Sequence, residues 1–299
     1  MTHLLLAVMW LLHWLPLSVL SRLGHGLGWL LYFFVRERRQ ITLTNLGLCF
    51  PQLSAAEKSA LARRHFAFFG RNMLELGLWW WASAARIRRL VKITHGERLA
   101  ACHGRPMILF APHFVGLDAG WIRLAMDHAM VTIYARAKNR TFDAALRRGR
   151  LRFGKTTLFS RQEGVKSVIR PMREGRPFYY LPDMDYGAKD AVFVPFFGVP
   201  AATITGLSRL AKLTGATVIP TITRMVGNHY EIEVGEPWTD FPATHPTDAA
   251  TDNVVADTRR MNAFLETEIL RSPAQYYWLH KRFKTRPPGE AGFYGSPRN

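Results

Sequence analysis

Cysteine and acidic residues are both scarce in this 299-residue chain. Two cysteines, Cys49 and Cys102, are too few for a disulfide-stapled scaffold or a four-cysteine zinc site, and they favour a reducing compartment. Only 22 Asp and Glu stand against 40 Lys and Arg, which leaves a net charge of +18 at pH 7. This excess predicts anionic partners: nucleic acid, an anionic membrane surface or a phosphorylated substrate.

Apolar residues, in contrast, are abundant. Hydrophobic residues make up 48% of the chain and aromatic residues 12%, so the composition excludes a disordered basic tail. The length suffices for one large core or about two average domains. We therefore expect a folded protein whose positive charge lies on its surface.

The chain lacks an apolar run that is both long and uninterrupted. Its longest one, residues 4–20, is interrupted by His13, Pro16 and Ser18. A positively charged start and a small-residue cleavage site, which are typical of a signal peptide, are also missing. Residues 1–35 are therefore predicted to form an N-terminal hydrophobic membrane-anchor helix, with a buried N-terminal helix as the alternative. The arginines that begin at Arg36 would place the body, residues 36–299, on the cytoplasmic side.

A helix is predicted to begin after Ser54, because Ser54 and Glu57 have the spacing of a capping box. The helical stretch continues toward Leu78 and ends in three consecutive tryptophans, residues 79–81. These tryptophans point in different directions around a helix, so either a membrane-interface belt or a buried cluster would explain them.

From about residue 106 short apolar or β-branched runs alternate with helical stretches. The predicted strands are Pro106–Ala111, Val131–Ala135, Phe178–Leu181, Val192–Phe196, Thr217–Thr223 and Tyr230–Val234. The predicted helices are Leu117–Met130, Phe142–Arg150, Gly164–Glu174, Ile204–Leu213 and Thr258–Leu270. This alternation predicts a single α/β domain in which helices flank a mixed sheet.

His113 is the most informative polar residue, because it follows a predicted buried strand at the end where α/β proteins usually build their sites. Asp118 lies five residues further on. If His113 lies on the turn and Asp118 in the first helical turn, the carboxylate reaches the imidazole and leaves its other nitrogen free as a general base. The alternative is a helix-capping aspartate beside an incidental histidine.

A strongly basic segment follows between Arg136 and Arg176, with thirteen Lys or Arg and three acids. Residues 149–156 within it match the nucleotide-binding P-loop expression literally, but the preceding residues predict a helix rather than a strand, so a nucleotide site is rejected. The segment is predicted to be a patch for anionic groups. No helix-turn-helix, zinc finger or aromatic RNA platform is recognisable, which argues against nucleic acid.

Two further segments carry polar residues near predicted strand ends or the C-terminus. Leu181-Pro182-Asp183-Met184-Asp185 places two carboxylates after a strand, where they could bind a metal, orient arginines or balance charge. Residues 280–287 interleave cations with one phenylalanine, a pattern of low specificity that suits a phosphate or a lipid surface.

Taken together, these segments resemble the lauroyl/myristoyl acyltransferases of bacterial lipid A biosynthesis. The resemblance covers nearly the whole chain. Its matching pieces, in the family's order, are Asn45-Leu46, Ala111-Pro112-His113 with Asp118, Gly149-Arg150-Leu151-Arg152, Pro182-Asp183-Met184-Asp185-Tyr186-Gly187, residues 192–198 and residues 275–287.

The resemblance implies an inner-membrane enzyme whose catalytic domain faces the cytoplasm. Such an enzyme transfers a fatty acyl chain from acyl carrier protein to a hydroxyl of a Kdo-bearing lipid A precursor. The catalytic pair would be His113 and Asp118, and Arg150 and Asp183 would bind substrate. Because a thioester is already activated, no cofactor and no metal are expected. Two alternatives stay open: another lipid acceptor, such as a glycerophospholipid, aminolipid or glycolipid, or an anionic-lipid-binding protein without catalysis.

Overall fold

The computed structural model of the chain describes residues 1–243 and 253–295. Within these ranges the chain forms eleven α-helices and nine β-strands. A helical N-terminal part precedes an α/β body, and the helix α4 connects the two.

Five helices make up the N-terminal part: α1 (Thr2–Leu12), α2 (Leu17–Phe34), α3 (Arg36–Cys49), α4 (Ala55–Trp81) and α5 (Ala84–Leu90). Pro16 directly precedes α2 and separates it from α1, because proline has no backbone N–H and clashes with the preceding helical turn. In the described part of the chain, no helix combines the length and the apolar composition that crossing a membrane requires. The prediction of a single anchor helix over residues 1–35 is therefore corrected: two shorter helices divide the apolar stretch.

Glycines let α2 lie directly against α4. A Cβ atom placed on Gly28 would be 2.1 Å from the carbonyl oxygen of Phe66, and one placed on Gly70 would be 2.3 Å from that of Gly24. Only a residue without a side chain permits such close backbone approach. One face of α2 is consequently buried, whereas the opposite face exposes large apolar side chains.

The structure confirms the predicted capping box at the start of α4. The Glu57 amide donates to Ser54 Oγ at 3.2 Å, and the Ser54 amide donates to Glu57 Oε2 at 2.7 Å. At the other end of the helix, Trp79 and Trp80 are buried in the main core, and Trp81 packs partly exposed against it. The tryptophan run is thus a buried cluster.

Seven strands form one mixed sheet in the order β1-β9-β8-β2-β5-β3-β4, and β6 and β7 form a separate antiparallel hairpin. The strands are β1 (Val91–Thr94), β2 (Met107–Phe110), β3 (Val131–Tyr134), β4 (Thr157–Ser160), β5 (Phe178–Tyr180), β6 (Ala191–Phe196), β7 (Val199–Ile204), β8 (Thr217–Val226) and β9 (His229–Val234). The β8–β9 pair is antiparallel and the other pairs of the large sheet are parallel. This sheet and its flanking helices confirm the predicted fold class.

The remaining helices are α6 (Glu97–Ala101), α7 (Leu117–Ala125), α8 (Arg140–Arg150), α9 (Ile169–Arg173), α10 (Gly206–Thr214) and α11 (Asn253–Arg271). Side chains alternate between the two faces of the sheet, as the pleat requires. Leu109 and Tyr179 belong to the core that contains α4 and α7 residues. Ile108 and Phe178 belong to a second core, formed with α9, α10 and α11. The sheet therefore separates two apolar layers.

Candidate active site

A cavity of about 520 Å³ opens at the carboxyl ends of β2, β3 and β5. Its lining includes His113, Leu117, Asp118, Trp121, Tyr134, Leu146, Arg150, Arg161, Val165, Tyr179, Tyr180, Tyr186 and Ile204. Ligands in open α/β sheets usually bind in this position, because strand-end loops converge there.

The register of two parallel strands brings His113 and Asp183 together. In the pairing of β2 with β5, Phe110 lies opposite Tyr180. His113 and Asp183 each follow three residues after this pair, so the two loops carry them to the same place. The Pro112 and Pro182 that precede them restrict both loops to extended conformations.

Asp183 holds His113 through two hydrogen bonds. The imidazole Nδ1 lies 2.8 Å from Asp183 Oδ1, and the His113 amide donates to Asp183 Oδ2 at 3.0 Å. Because an ionised carboxylate only accepts hydrogen bonds, we assign the proton to Nδ1, and Nε2 then has a free lone pair. The Asp183 side chain is fully buried, whereas that of His113 is 21% exposed and lines the cavity.

Asp183 is ionised although it is buried. Burial by itself acts to raise its pKa, but the attraction of the imidazole when it is protonated and the hydrogen bonds that the carboxylate accepts from His113 oppose this effect and hold the pKa below the usual value. A buried negative charge therefore stands behind the imidazole. Such a charge stabilises a protonated imidazole if His113 accepts a proton.

Asp118 has a different partner from the predicted one. Its Oδ1 accepts hydrogen bonds from Arg150 Nε at 2.9 Å and from Arg150 Nη2 at 2.6 Å. Asp118 is the second residue of α7, and the helix directs it toward α8, where the Trp121 indole also donates to the carbonyl of Arg150. The predicted contact between Asp118 and His113 is thus replaced by two separate pairs that share one cavity.

The predicted substrate-binding residues take different positions. Arg150 lines the cavity. Asp183 is enclosed behind His113 without exposed surface, and it makes the contact with the imidazole that the sequence predicted for Asp118. No group of three or more His, Cys, Asp or Glu in the described ranges is arranged to hold a metal ion.

Comparison with known proteins assigns the chain to a family. A family model described as bacterial lipid A biosynthesis acyltransferase matches residues 1–285. This protein belongs to that family. It is 33% identical to the lipid A biosynthesis lauroyltransferase of Escherichia coli K12, over 98% of this chain and 94% of the relative. It is 31% identical to the palmitoleoyltransferase (97% and 92%) and to the myristoyltransferase (91% and 82%) of the same organism. The resemblance predicted from the sequence is confirmed.

Two arginines of the basic segment of this acyltransferase join separate parts of the backbone. The Arg152 guanidinium donates to the carbonyl oxygens of Trp79 and Ala82, at 3.1 and 2.6 Å, and so joins the loop after α8 to the end of α4. Arg176 donates to the Ala129 and Lys155 carbonyls. Other cations remain at the surface and line a polar pocket beside the cavity that contains His113, namely Arg136, Lys138, Arg140 and Arg147.

The C-terminal segment of the acyltransferase makes hydrogen bonds to both loops of the site. The sequence did not predict these contacts. The Tyr277 amide donates to the His113 carbonyl at 2.9 Å, and the Tyr276 hydroxyl donates to the Asp183 carbonyl at 3.3 Å. Asp185 accepts from the amide and the hydroxyl of Thr285, at 2.7 and 2.9 Å. The segment thus acts as a strap across the loops that carry the His113–Asp183 pair.

His280 and Arg282 belong to this strap rather than to a surface patch. His280 Nε2 accepts the amide of Asp185 at 3.1 Å, and burial, together with the positive charge of His113, lowers the His280 pKa to about 4. Arg282 is 1% exposed and donates to the Ala202 carbonyl and the Thr203 hydroxyl. At these two positions, hydrogen bonds within the protein correct the interpretation of residues 280–287 as a phosphate or lipid patch.

Proposed function

We propose that this protein transfers a fatty acyl chain from an acyl carrier protein thioester to a hydroxyl of a Kdo-bearing lipid A precursor. The observation that carries the proposal is the His113–Asp183 pair, which presents the imidazole at the cavity edge with a buried carboxylate behind it. The names of the relatives, which are lauroyl, palmitoleoyl and myristoyl transferases of lipid A biosynthesis, support the acyl group and the acceptor.

The proposed reaction uses the positions of these two side chains. His113 Nε2 accepts the proton of the acceptor hydroxyl while the hydroxyl oxygen attacks the thioester carbonyl carbon. The tetrahedral intermediate collapses, the carbon–sulfur bond breaks, and the proton on His113 passes to the leaving thiolate. Asp183 keeps Nδ1 protonated and stabilises the imidazolium that forms between the two steps. The products are an ester of the acceptor and the free thiol of the carrier.

Arg150 is proposed to hold an anionic group of the acceptor. Two of its nitrogens, Nε and Nη2, are engaged by Asp118, which fixes the plane of the guanidinium. The third, Nη1, donates to no protein acceptor among the residues that the structure describes, so it is free for a phosphate or carboxylate oxygen. Asp118 acts as a positioning residue for Arg150.

Membrane attachment is proposed to use the exposed face of α1 and α2. Its large apolar side chains include Leu4, Leu11, Trp14, Trp29, Leu30, Phe33 and Phe34, whose exposed fractions range from 44% to 79%. Exposed apolar patches of this kind mark interaction sites. Asn139, which caps α8, donates to the Thr2 hydroxyl at 2.9 Å, so the arginines of α8 lie beside the start of this face. Apolar side chains next to cations suit an anionic bilayer surface, which at the proposed location is the cytoplasmic leaflet of the inner membrane.

A vesicle assay tests this attachment. Phe33→Ser with Phe34→Ser should lower co-sedimentation with anionic lipid vesicles about tenfold, because each serine removes an inserted aromatic ring. Leu270→Ser is the matched control, since Leu270 is 60% exposed on α11. Equal sedimentation of both variants would contradict attachment through this face.

Mass spectrometry of lipid products tests the reaction. The purified protein is incubated with acyl carrier proteins that bear chains of different length and with a Kdo-bearing lipid A precursor, a precursor without Kdo, or a glycerophospholipid. We expect a new ester on the Kdo-bearing precursor alone. Acylation of the glycerophospholipid alone would replace the proposed acceptor, and the absence of an ester with every acceptor would contradict the function.

A further inference from the structure

The reaction cavity extends across the edge of the sheet, from one apolar layer to the other. One end is lined by Trp121, Leu146 and Arg150, on the face that carries α4, α7 and α8. The other end is lined by Val165, Tyr180 and Ile204. These last three residues also line a second groove of about 830 Å³, so the groove and the cavity share a wall. A molecule bound in the groove would therefore lie next to the site of chemistry.

We name this second space the α9–α10 groove, since it is bordered by residues 165–174 and 204–213 together with Lys189 and Asp190. Its apolar surface includes Val165 and Leu213, which are 40% and 53% exposed. Five cations surround this surface: Lys166, Arg170, Arg173, Lys189 and Arg209. An exposed apolar strip marks an interaction site, and a cationic rim favours an acidic partner.

The positive charge of the rim is only partly neutralised. Glu174 pairs with Arg170 at 2.9 Å, and Asp190 pairs with Arg209 at 3.4 Å. Neither Lys166 nor Lys189 has an acidic partner within the described ranges. The unneutralised charge favours a partner with an acidic surface.

The groove lies on the opposite side of the sheet from the apolar N-terminal face. The α9 and α10 helices pack in the core layer that contains Ile108 and Phe178, whereas α1, α2 and α4 belong to the layer of Leu109 and Tyr179 or extend from it. A protein that rests on a bilayer through α1 and α2 keeps α9 and α10 turned toward water. A soluble partner can then dock while the lipid acceptor enters from the other side.

We propose that the α9–α10 groove is the docking surface for the acyl carrier protein, a small acidic protein that presents its acyl thioester on a flexible arm. An acidic amphipathic helix of the carrier would place apolar side chains on Val165 and Leu213 and carboxylates beside Lys166 and Lys189. The shared wall at Tyr180 and Ile204 then brings the thioester to the cavity that contains His113. This inference rests on the proposed function, of which it specifies the donor's binding site.

A comparison of two donors tests the groove by kinetics. The double variant Lys166→Glu with Lys189→Glu is assayed with acyl carrier protein and with acyl-pantetheine, which carries the same thioester without the protein. We expect the ratio of the two kcat/KM values, carrier over pantetheine, to fall about tenfold, because charge reversal slows protein association and does not act on a neutral arm. The salt dependence seen with the carrier should weaken as well.

The matched control reverses the charge of two lysines outside the groove. Lys92 and Lys155 are exposed, lie outside the groove and have no acidic partner in the described part of the chain. Lys92→Glu with Lys155→Glu changes the net charge equally and should leave the donor ratio within twofold of wild type. If both double variants lower the ratio equally, the effect comes from the overall positive charge of the protein rather than from the groove, and the docking proposal is overturned.

Direct binding separates this proposal from the proposed reaction. Apo acyl carrier protein labelled with a fluorophore is titrated with wild type and with both double variants, and anisotropy is measured without any turnover. Weaker binding by Lys166→Glu with Lys189→Glu alone supports the groove even if the acceptor has been wrongly chosen. Equal carrier binding by all three proteins overturns it. The proposal is also overturned if the groove variant loses binding only to anionic lipid vesicles, tested in parallel.

Discussion

Two pairs of hydrogen-bonded side chains face the same cavity, and they differ in burial more than in distance. His113 and Asp183 approach to 2.8 Å, and Arg150 and Asp118 to 2.6 Å. The Asp183 side chain has no exposed surface, whereas that of Asp118 is 16% exposed. A fully buried carboxylate contacts no substrate and acts through the group it holds, while a carboxylate at the cavity edge also meets solvent and ligand. The comparison separates the proposed proton-transfer pair from the proposed anion-binding pair.

The largest expected effect is on the first pair. His113→Ala should lower kcat by roughly 10²- to 10⁴-fold, because it removes the group that accepts the hydroxyl proton. Asp183→Asn should lower kcat by a similar order, because the neutral asparagine side chain no longer stabilises the imidazolium at His113. Both rates are measured by product mass spectrometry at saturating substrates.

Circular dichroism and thermal unfolding of the same variants serve as the control for folding. If both folded variants stay within about threefold of the wild-type kcat, His113 does not supply general-base catalysis, whose usual contribution is far larger.

A double-mutant cycle should divide the four residues into two units. His113→Ala combined with Asp183→Asn should be within about threefold of His113→Ala alone, because the carboxylate has no imidazole left to orient. His113→Ala combined with Asp118→Asn should instead show nearly additive losses, since Asp118 contacts Arg150. Additivity within the first pair, with coupling across the pairs, would restore the original assignment of Asp118 as the partner of His113.

A smaller effect is expected at the second pair. Arg150→Lys should raise the KM for the lipid acceptor about tenfold with less change in kcat, because an ammonium group lacks the planar fork that holds Asp118 with two nitrogens and leaves a third for an anion. Arg148→Lys is the matched control, as Arg148 is exposed on the same helix. A fall in kcat without a change in KM would show that Arg150 acts on the reacting atoms instead.

The smallest expected effect concerns a histidine that contacts no carboxylate among the described residues. His65 is fully buried, its Nδ1 bonds only the Ala274 carbonyl, and burial lowers its pKa to about 4. As the pH falls, the unfolded chain therefore takes up this proton at a higher pH than the folded chain does. The free energy of unfolding decreases as the pH falls from about 6.5 toward 4. By pH 5 the loss from this residue is about 2 kcal/mol.

Unfolding midpoints at pH 7 and pH 5 measure this loss. His65→Gln should reduce the difference between the two midpoints, whereas the exposed His103→Gln should not. An unchanged difference in His65→Gln would mean that other groups govern the acid sensitivity.

Local sequence signals predicted those features that depend on neighbouring residues. The capping box at Ser54 began α4 as expected, and His113 lay at a strand end because an apolar run stopped at Pro112. Pro16, one of the interruptions in the apolar stretch, separates its two helices. The hydropathy of residues 1–35 by itself favours a single anchor helix, because an average over residues does not register that Pro16 lacks a backbone N–H.

The partner of His113 could not be predicted in the same way. Asp118 was the nearest carboxylate along the chain, whereas Asp183 is 70 residues away. Their meeting depends on β2 pairing with β5 in a register that sets Phe110 opposite Tyr180. Single-sequence patterns indicate where a strand begins and ends, but they carry no information about which strand lies beside it.

The sequence by itself determined the α/β class, the family, the positions of the strand ends and the large positive charge, because each depends on residue type and local order. Tertiary structure decided which carboxylate contacts His113, which arginines bind distant backbone segments and which face the cavity. It also decided that the C-terminal residues bind the site loops together. These outcomes depend on burial and on contacts between distant segments, and a side chain acquires both only when the chain has folded.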